Sequence, residues 1–260
     1  MTMRALLFAL VLAGSAAQAR PVSFTLQNGL IPVPVTVGEH ELPLMLDLGD
    51  FRAISLTSAV LDSVGVRFTG AVDHFSNFAG DTFEARRFVA DDVALGALRH
   101  AELEGSEDVH DPSNPSPNAY GAIGRAFFDG HRLSIDYEAS TLAFDAPLPE
   151  NTLRIPLHDR DGMLLVDVTV DGHDFTFLLD TGAMVSVIDA SLLPETGRFQ
   201  EQHSVHTAGT LAVGDVEHEG VELFRIDLGG GFDGILGSDV LRHQRVHVDL
   251  EGGWLALTAP

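Results

Sequence analysis

Two carboxylates stand out in this 260-residue chain because each ends an apolar run and begins a tight turn. Asp180 closes the run Phe175–Leu179 and is followed by Thr181, Gly182 and Ala183. Asp47 closes "LPLML" and is followed by Leu48, Gly49 and Asp50. An acid delivered by a hydrophobic strand onto a turn is either used or tied down. Two of them side by side could not both ionise, so they would share a proton and titrate as a pair. The ionised member could then activate a water while the protonated one donates to a carbonyl. That chemistry needs no metal, cofactor or covalent intermediate.

The surrounding sequence places the two acids in equivalent settings. Sliding residues 35–58 over 168–191 at a constant offset of 133 repeats Val35, Thr36, Val37, His40, Leu46, Asp47, Gly49 and Ser58. They recur as Val168, Thr169, Val170, His173, Leu179, Asp180, Gly182 and Ser191. Residues 121–144 likewise match 234–257, with Gly124 on Gly237, Arg132 on Arg245 and Asp136 on Asp249. The same order of hairpin, apolar-Asp-x-Gly, middle region, apolar-apolar-Gly, short helix and hairpin occurs twice. A duplication of this length predicts two similar lobes. Their boundary is expected in the Pro-bearing stretch "DAPLPENT", giving lobes of residues 20–149 and 150–260.

Alternating segments such as "PVTV", "HRLSIDY", "DFTFLL" and "RVHVDL" predict an all-β chain. Short helices are expected after Thr57, from Asp189, and over "GSDVLRHQ". Asp47 to Gly124 spans 77 positions, against 57 from Asp180 to Gly237. The acidic, Pro- and Ser-rich stretch 104–121 is the expected seat of the extra 20.

Apolar-apolar-Asp-Thr-Gly-Ala followed later by Ile235-Leu236-Gly237 resembles the aspartic proteases. The duplication resembles their bilobal, pepsin-like arrangement, and lobe size together with Ala183 looks closer to the bacterial retropepsin-like group. The resemblance covers nearly all of the chain after residue 19. It implies two β-barrel-like lobes with a cleft between them, and an endopeptidase whose dyad is Asp47 and Asp180. It also implies supporting roles for Thr181, Gly182, Ala183 and Gly49, and hairpin flaps around Gly80 and Gly209. The first lobe departs from the pattern. Leu48 stands where a Thr or Ser hydroxyl would reach across to the other loop, and Asp50 adds a third carboxylate. Pointing inward, Asp50 would raise the pair's pKa values further; facing solvent, it would matter little. The family's flap Tyr has no counterpart, and Phe75 or Phe78 is left to give apolar cover. These departures keep two alternatives open: a peptide-binding protein that does not cut, and an enzyme active only as a homodimer through Asp180.

The remaining features bound the function. Residues 1–19 read as a cleaved export signal, with Arg4, the apolar "ALLFALVLA" and small residues at Ala17 and Ala19. A soluble periplasmic or secreted protein of 241 residues, monomeric because the duplicated chain supplies its own pseudo-partner, is the expectation. With no Cys, it must stand without disulfides or thiolate metal sites. A net charge of −23, with every basic residue an Arg, argues against nucleic acid and anionic membranes as partners and leaves a polypeptide substrate. His203 with His206, and His243 with His247, have ligand-like spacing but lack a third grouped ligand, so they read as structural. No serine-nucleophile elbow occurs.

Overall fold

The computed structural model describes residues 20–76, 82–109 and 119–260. Period-two burial builds its strands. In Pro32–Val37 the side chains of Val33, Val35 and Val37 point into the core, and in His40–Asp47 those of Leu42, Leu44 and Leu46 do. The two strands pair antiparallel across a turn at Gly38, whose φ of 57° favours glycine. Met163–Val170 and His173–Leu179 repeat this hairpin in the second lobe.

Each lobe then threads a short strand beside the one that carries its carboxylate. Gly121–Gly124 runs parallel to His40–Asp47, with Gly124 opposite Asp47. Gly234–Leu236 runs parallel to His173–Leu179, with Leu236 opposite Leu179. A third strand, Ile54–Leu56 or Val187–Asp189, closes the other edge antiparallel. The strand end bearing each Asp is therefore held from the side by backbone. A helical turn follows each glycine strand, Arg125–Phe128 as a 3-10 helix and Ser238–Leu241 as an α-helix.

The two lobes meet in a common six-stranded layer. Its order is Val22–Ser23, Thr141–Phe144, Arg132–Asp136, Arg245–Asp249, Trp254–Thr258 and the start of Ile155–Arg160. At its centre Arg132–Asp136 pairs antiparallel with Arg245–Asp249, and Ser134 faces His247. Residues 134 and 247 are also equivalent in the sequence repeat, at the same offset of 113 that relates Gly124 to Gly237. A strand paired with its own copy about equivalent residues marks a pseudo-twofold axis. The duplication read from the sequence is thus a duplication in space.

His247 makes this axis acid-sensitive. It is 3% exposed; its Nδ1 lies 2.8 Å from Ser134 Oγ and its Nε2 3.3 Å from Thr258 Oγ1. Burial first, then the Arg245 and Arg132 charges, push its pKa down to about 4, against the opposing pull of Asp136. A histidine that protonates less readily folded than unfolded contributes stability in full above about pH 6.5, and that contribution is lost as pH falls toward 4. His247→Gln should therefore lose less thermal stability than the parent between pH 7 and pH 4.5. Equal drops in Tm would show that the imidazole does not titrate with unfolding.

Three local expectations are corrected. Residues 189–195 form a single turn, not a helix: Leu192 N–H donates to Asp189 O, and Pro194 has no N–H with which to continue. The Asp189 carboxylate instead accepts from Ser191 N and Oγ and from Leu228 N. The extra length of the first lobe is not mainly in 104–121. From Asp47 to the turn Gly96 is 49 positions, and from Asp180 to its match Gly214 is 34, so 15 of the 20 fall upstream. They build helix Ser58–Val64 and the long hairpin Arg67–Ser76 with Thr82–Leu95. The expected loop itself begins as strand, since Leu98–Glu107 is hydrogen-bonded throughout its pairing with Thr82–Leu95, while 110–118 lie outside the described residues.

Candidate active site

The second lobe's loop is held almost wholly by backbone. Asp180 N–H donates to Leu236 O at 3.1 Å, and Ser238 N–H to Ala183 O at 2.9 Å. The Asp180 carboxylate accepts Gly182 N–H at 2.7 Å and Ala183 N–H at 3.0 Å, both on Oδ1. Gly237 must be glycine because a Cβ there would lie 2.7 Å from Val185 C and O. The first lobe repeats the design with one donor fewer. Asp50 N–H donates to Asp47 Oδ1 at 3.1 Å, and Arg125 N–H to Asp50 O at 2.9 Å. A Cβ on Gly124 would lie 2.3 Å from Arg52 O.

The glycines of the two loops place the acids together. A Cβ on Gly182 would sit 2.6 Å from Asp47 Cγ, and one on Gly49 would sit 2.7 Å from Asp180 Cγ. Each carboxylate thus lies over the opposite lobe's glycine. Neither glycine has positive φ, so close approach is what excludes a side chain, not the turn conformation expected from sequence. The two carboxyl groups are close enough to hydrogen-bond to each other.

Thr181 ties the loops across the axis. Its Oγ1 donates to Leu46 O at 2.9 Å and accepts Leu48 N–H at 3.0 Å, and the residue is fully buried. The reciprocal hydroxyl is missing. Leu48 is also fully buried, and its side chain joins the hydrophobic core. Asp50 points inward: its carboxylate is 8% exposed and clamped by Arg52.

Burial raises both dyad acids. Asp47 stands well above the usual carboxylate range, first through desolvation, then through repulsion by Asp180 and Asp50. Asp180 is raised less simply, because desolvation is opposed by the Gly182 and Ala183 N–H groups and by its bond to Asp47. Two N–H donors on Asp180 against one on Asp47 favour the negative charge on Asp180 and the shared proton on Asp47.

Residues that the sequence pattern does not mark complete the support. Ser186 Oγ donates to Asp239 Oδ1 at 2.6 Å and accepts Gly237 N–H at 3.0 Å, while Ser186 N–H donates to Asp239 Oδ2 at 2.9 Å. Ser238 Oγ donates to Thr181 O at 3.2 Å. The repeat could not reveal them, since Ala53 and Ala126 occupy the matching positions of Ser186 and Asp239.

The flap residues fare differently. Gly80 and Phe78 lie outside the described residues. Phe75, at the end of its strand, is half-buried, with its ring 6.5 Å from Phe51 and 4.9 Å from the Arg52 guanidinium carbon. The second-lobe flap is misplaced at Gly209, which lies inside strand His203–Val213, above Asp171. There the register is unbroken, with Ala208 on Val221 and Thr210 on Glu219, so this glycine lies opposite Gly220 in mid-hairpin, not at a hairpin tip. The hairpin equivalent to the first lobe's turns at Gln200 and Glu201.

The paired histidines separate. His206 binds Asp171 Oδ2 and Pro194 O, His247 binds Ser134, and His243 lies near His218. His203 packs beside Phe224. Among the described residues no three metal-ligating side chains are grouped to hold an ion.

Comparison with known proteins agrees with this geometry. Residues 166–240 match the family model described as aspartyl protease. The fold superposes on the crystal structure of an aspartic proteinase from Irpex lacteus with a TM-score of 0.60. That match covers 93% of this chain and 97% of that one, at 15% identity. A search of curated protein sequences gave no significant match. The chain has the bilobal fold of the aspartic proteases.

Proposed function

We propose that this chain, built on the aspartic-protease fold, is an exported endopeptidase that hydrolyses peptide bonds with a water activated between Asp47 and Asp180. The observation that carries the reading is the mutual seating of each carboxylate over the other loop's glycine. Such a pair retains one proton across a range of pH in which isolated carboxylates would both be ionised.

The donor count assigns the roles. Ionised Asp180 takes a proton from water, and the water oxygen attacks the scissile carbonyl carbon. Asp47 gives its proton to the carbonyl oxygen, which yields a neutral tetrahedral diol. Asp180 then passes its acquired proton to the amide nitrogen while Asp47 recovers one from a diol hydroxyl. The C–N bond breaks, leaving a carboxylic acid and an amine, and the dyad returns to its starting state. Activity should be bell-shaped in pH, lost when both acids are protonated and lost again when both are ionised. The raised Asp47 places the second limb above the ordinary carboxylate range.

Phe51 and Met184, 52% and 45% exposed, occupy equivalent positions four residues after the two acids. They offer apolar contacts on either side of the scissile bond. Phe51 also helps line an interlobe cavity of about 470 Å³ with Arg125, Leu157 and Leu164. An extended peptide would lie in the cleft between the lobes, across the two acids. Because the chain supplies its own second carboxylate, a homodimer through Asp180 is unnecessary, and a monomer acting on polypeptide is the reading favoured here. Export rests on residues 1–19, which lie outside the described residues; no described helix is long and apolar enough to cross a membrane.

The test is hydrolysis of a denatured protein by the monomer fraction from a sizing column, across pH 3 to 8. No cleavage at any pH, with peptide still bound, would make this a binding protein. Exhaustive chelation should leave cleavage unchanged, because the carboxylates alone activate the water. Loss of activity restored by zinc would reject the dyad mechanism.

A further inference from the structure

The loop after Asp47 differs from its copy in a consistent way. Where the second lobe has Thr181, Ala183 and Val185, the first has Leu48, Asp50 and Arg52. Leu48 cannot send a hydroxyl across the axis. Asp50 instead receives four contacts from Arg52. The backbone N–H and Nε each reach Oδ1 at 2.9 Å, Nε reaches Oδ2 at 3.0 Å, and Nη2 reaches Oδ2 at 2.7 Å. Arg52 Nη1 continues to Ser106 Oγ at 3.2 Å, in strand Leu98–Glu107, and its guanidinium lies over Phe75. The loop is thereby anchored to two other elements of its own lobe.

The same clamp carries charge. Asp50 repels negative charge on both dyad acids, and a third buried carboxylate beside them is costly unless matched. Arg52, with a side chain 19% exposed, is the cation that matches it. The groups facing this cluster are Asp47, Asp180, Asp50 and Arg52, with Asp108 acting on Arg52 and Tyr137 facing Asp180. We propose that Arg52, held by Asp50 and Ser106, is a positioning residue for the dyad. It fixes the first lobe's loop from within that lobe, where Leu48 offers no hydroxyl, and it balances the charge Asp50 brings beside the pair. The inference rests on the Asp47–Asp180 reading of the site.

The test follows the dyad without requiring cleavage. Carboxyl resonances of ¹³C-labelled aspartate report the pair's titration, and the pH profile of kcat/KM is recorded beside them. Arg52→Gln leaves Asp50 unmatched and should move the upper titration up by roughly one pH unit. Asp50→Asn removes the repelling charge and should move it down. The Asp50→Asn/Arg52→Gln double variant should return it toward the parent value, with kcat lowered and KM little changed. A dyad titration that stays put in both single variants would overturn the proposal. Should Arg52→Gln fail to fold, Arg52→Lys keeps the charge but gives up the planar fork. It should leave the titration in place and lower kcat roughly tenfold, as a slightly misplaced loop does; an unchanged kcat would refute the positioning role. If no variant and no parent protein cleaves peptide, the resonance shifts still decide this inference while the protease reading falls.

Discussion

Asp180→Asn and Asp47→Asn should each lower kcat/KM by roughly 10⁴-fold or more, because each removes one half of a proton relay that works only as a unit. The double variant should be little worse than either single one. Asn keeps the shape of Asp and can still meet the Asp50, Gly182 and Ala183 N–H groups through its carbonyl oxygen, so the fold should persist. Stability gives a second reading of the same variants. Folding raises Asp47 above its usual value near 3.8, so the folded state holds the proton more tightly than the unfolded chain does. Stability is then greatest below that ordinary value and falls as pH rises through the raised one. Asn does not ionise, and Asp47→Asn should therefore unfold at a higher temperature than the parent at pH 7. The gain is about 1.4 kcal/mol for each pH unit of displacement. Cleavage that survives Asp47→Asn would mean that the second carboxylate comes from elsewhere, most simply from Asp180 of another chain. A parent protein without cleavage, yet with the same stability gain, would leave the shared proton intact and reject only the catalysis.

Gly182→Ala should be nearly as damaging, from a single methyl group. The new Cβ would lie 2.6 Å from Asp47 Cγ and 2.7 Å from Asp47 Oδ2. Neither side can yield easily, since Thr181 ties this loop to Leu46 and Leu48 of the other lobe. Overpacking of this kind costs about 1–3 kcal/mol of stability. Displacing one carboxylate by about 1 Å should cost on the order of 10²-fold in kcat. Gly197→Ala is the control, because its Cβ would meet only Val205 Cγ2 at 3.6 Å and its φ is not positive. A Gly182→Ala enzyme with the parent's kcat/KM would show that the carboxylates do not approach as closely as the structure places them.

Local pattern was enough for much of this molecule. Alternation in "PVTV", "LPLML" and "RVHVDL" carried the strands, because burial of every second side chain is written at a spacing of two. Repetition, at an offset of 133 and then of 113, pairs Asp47 with Asp180 and Gly124 with Gly237, because two lobes with one design keep one order of residues. The aspartic-protease fold followed from those pairs and the Asp-Thr-Gly-Ala motif.

What failed locally did so for local reasons that packing overrides. A helix from Asp189 is permitted by composition, yet Pro194 and the bonds from Asp189 to Ser191 and Leu228 end it after one turn. Gly209 resembles a hairpin tip in sequence, but the long strand His203–Val213 runs through it. The roles of Gly49 and Gly182 were legible as turns and proved to be gaps for the opposite carboxylate. Ser186 with Asp239, and Arg52 with Asp50 and Ser106, had no pattern to betray them. Their partners lie 53 and 54 residues away along the chain, or in a loop whose copy uses other residues. The sequence alone determined that there are two carboxylates, on two similar lobes of alternating strands. Only the tertiary structure decided that each lies against the other loop's glycine, because the distance between them is set by Thr181, by two glycines, and by a central sheet in which Ser134 faces His247.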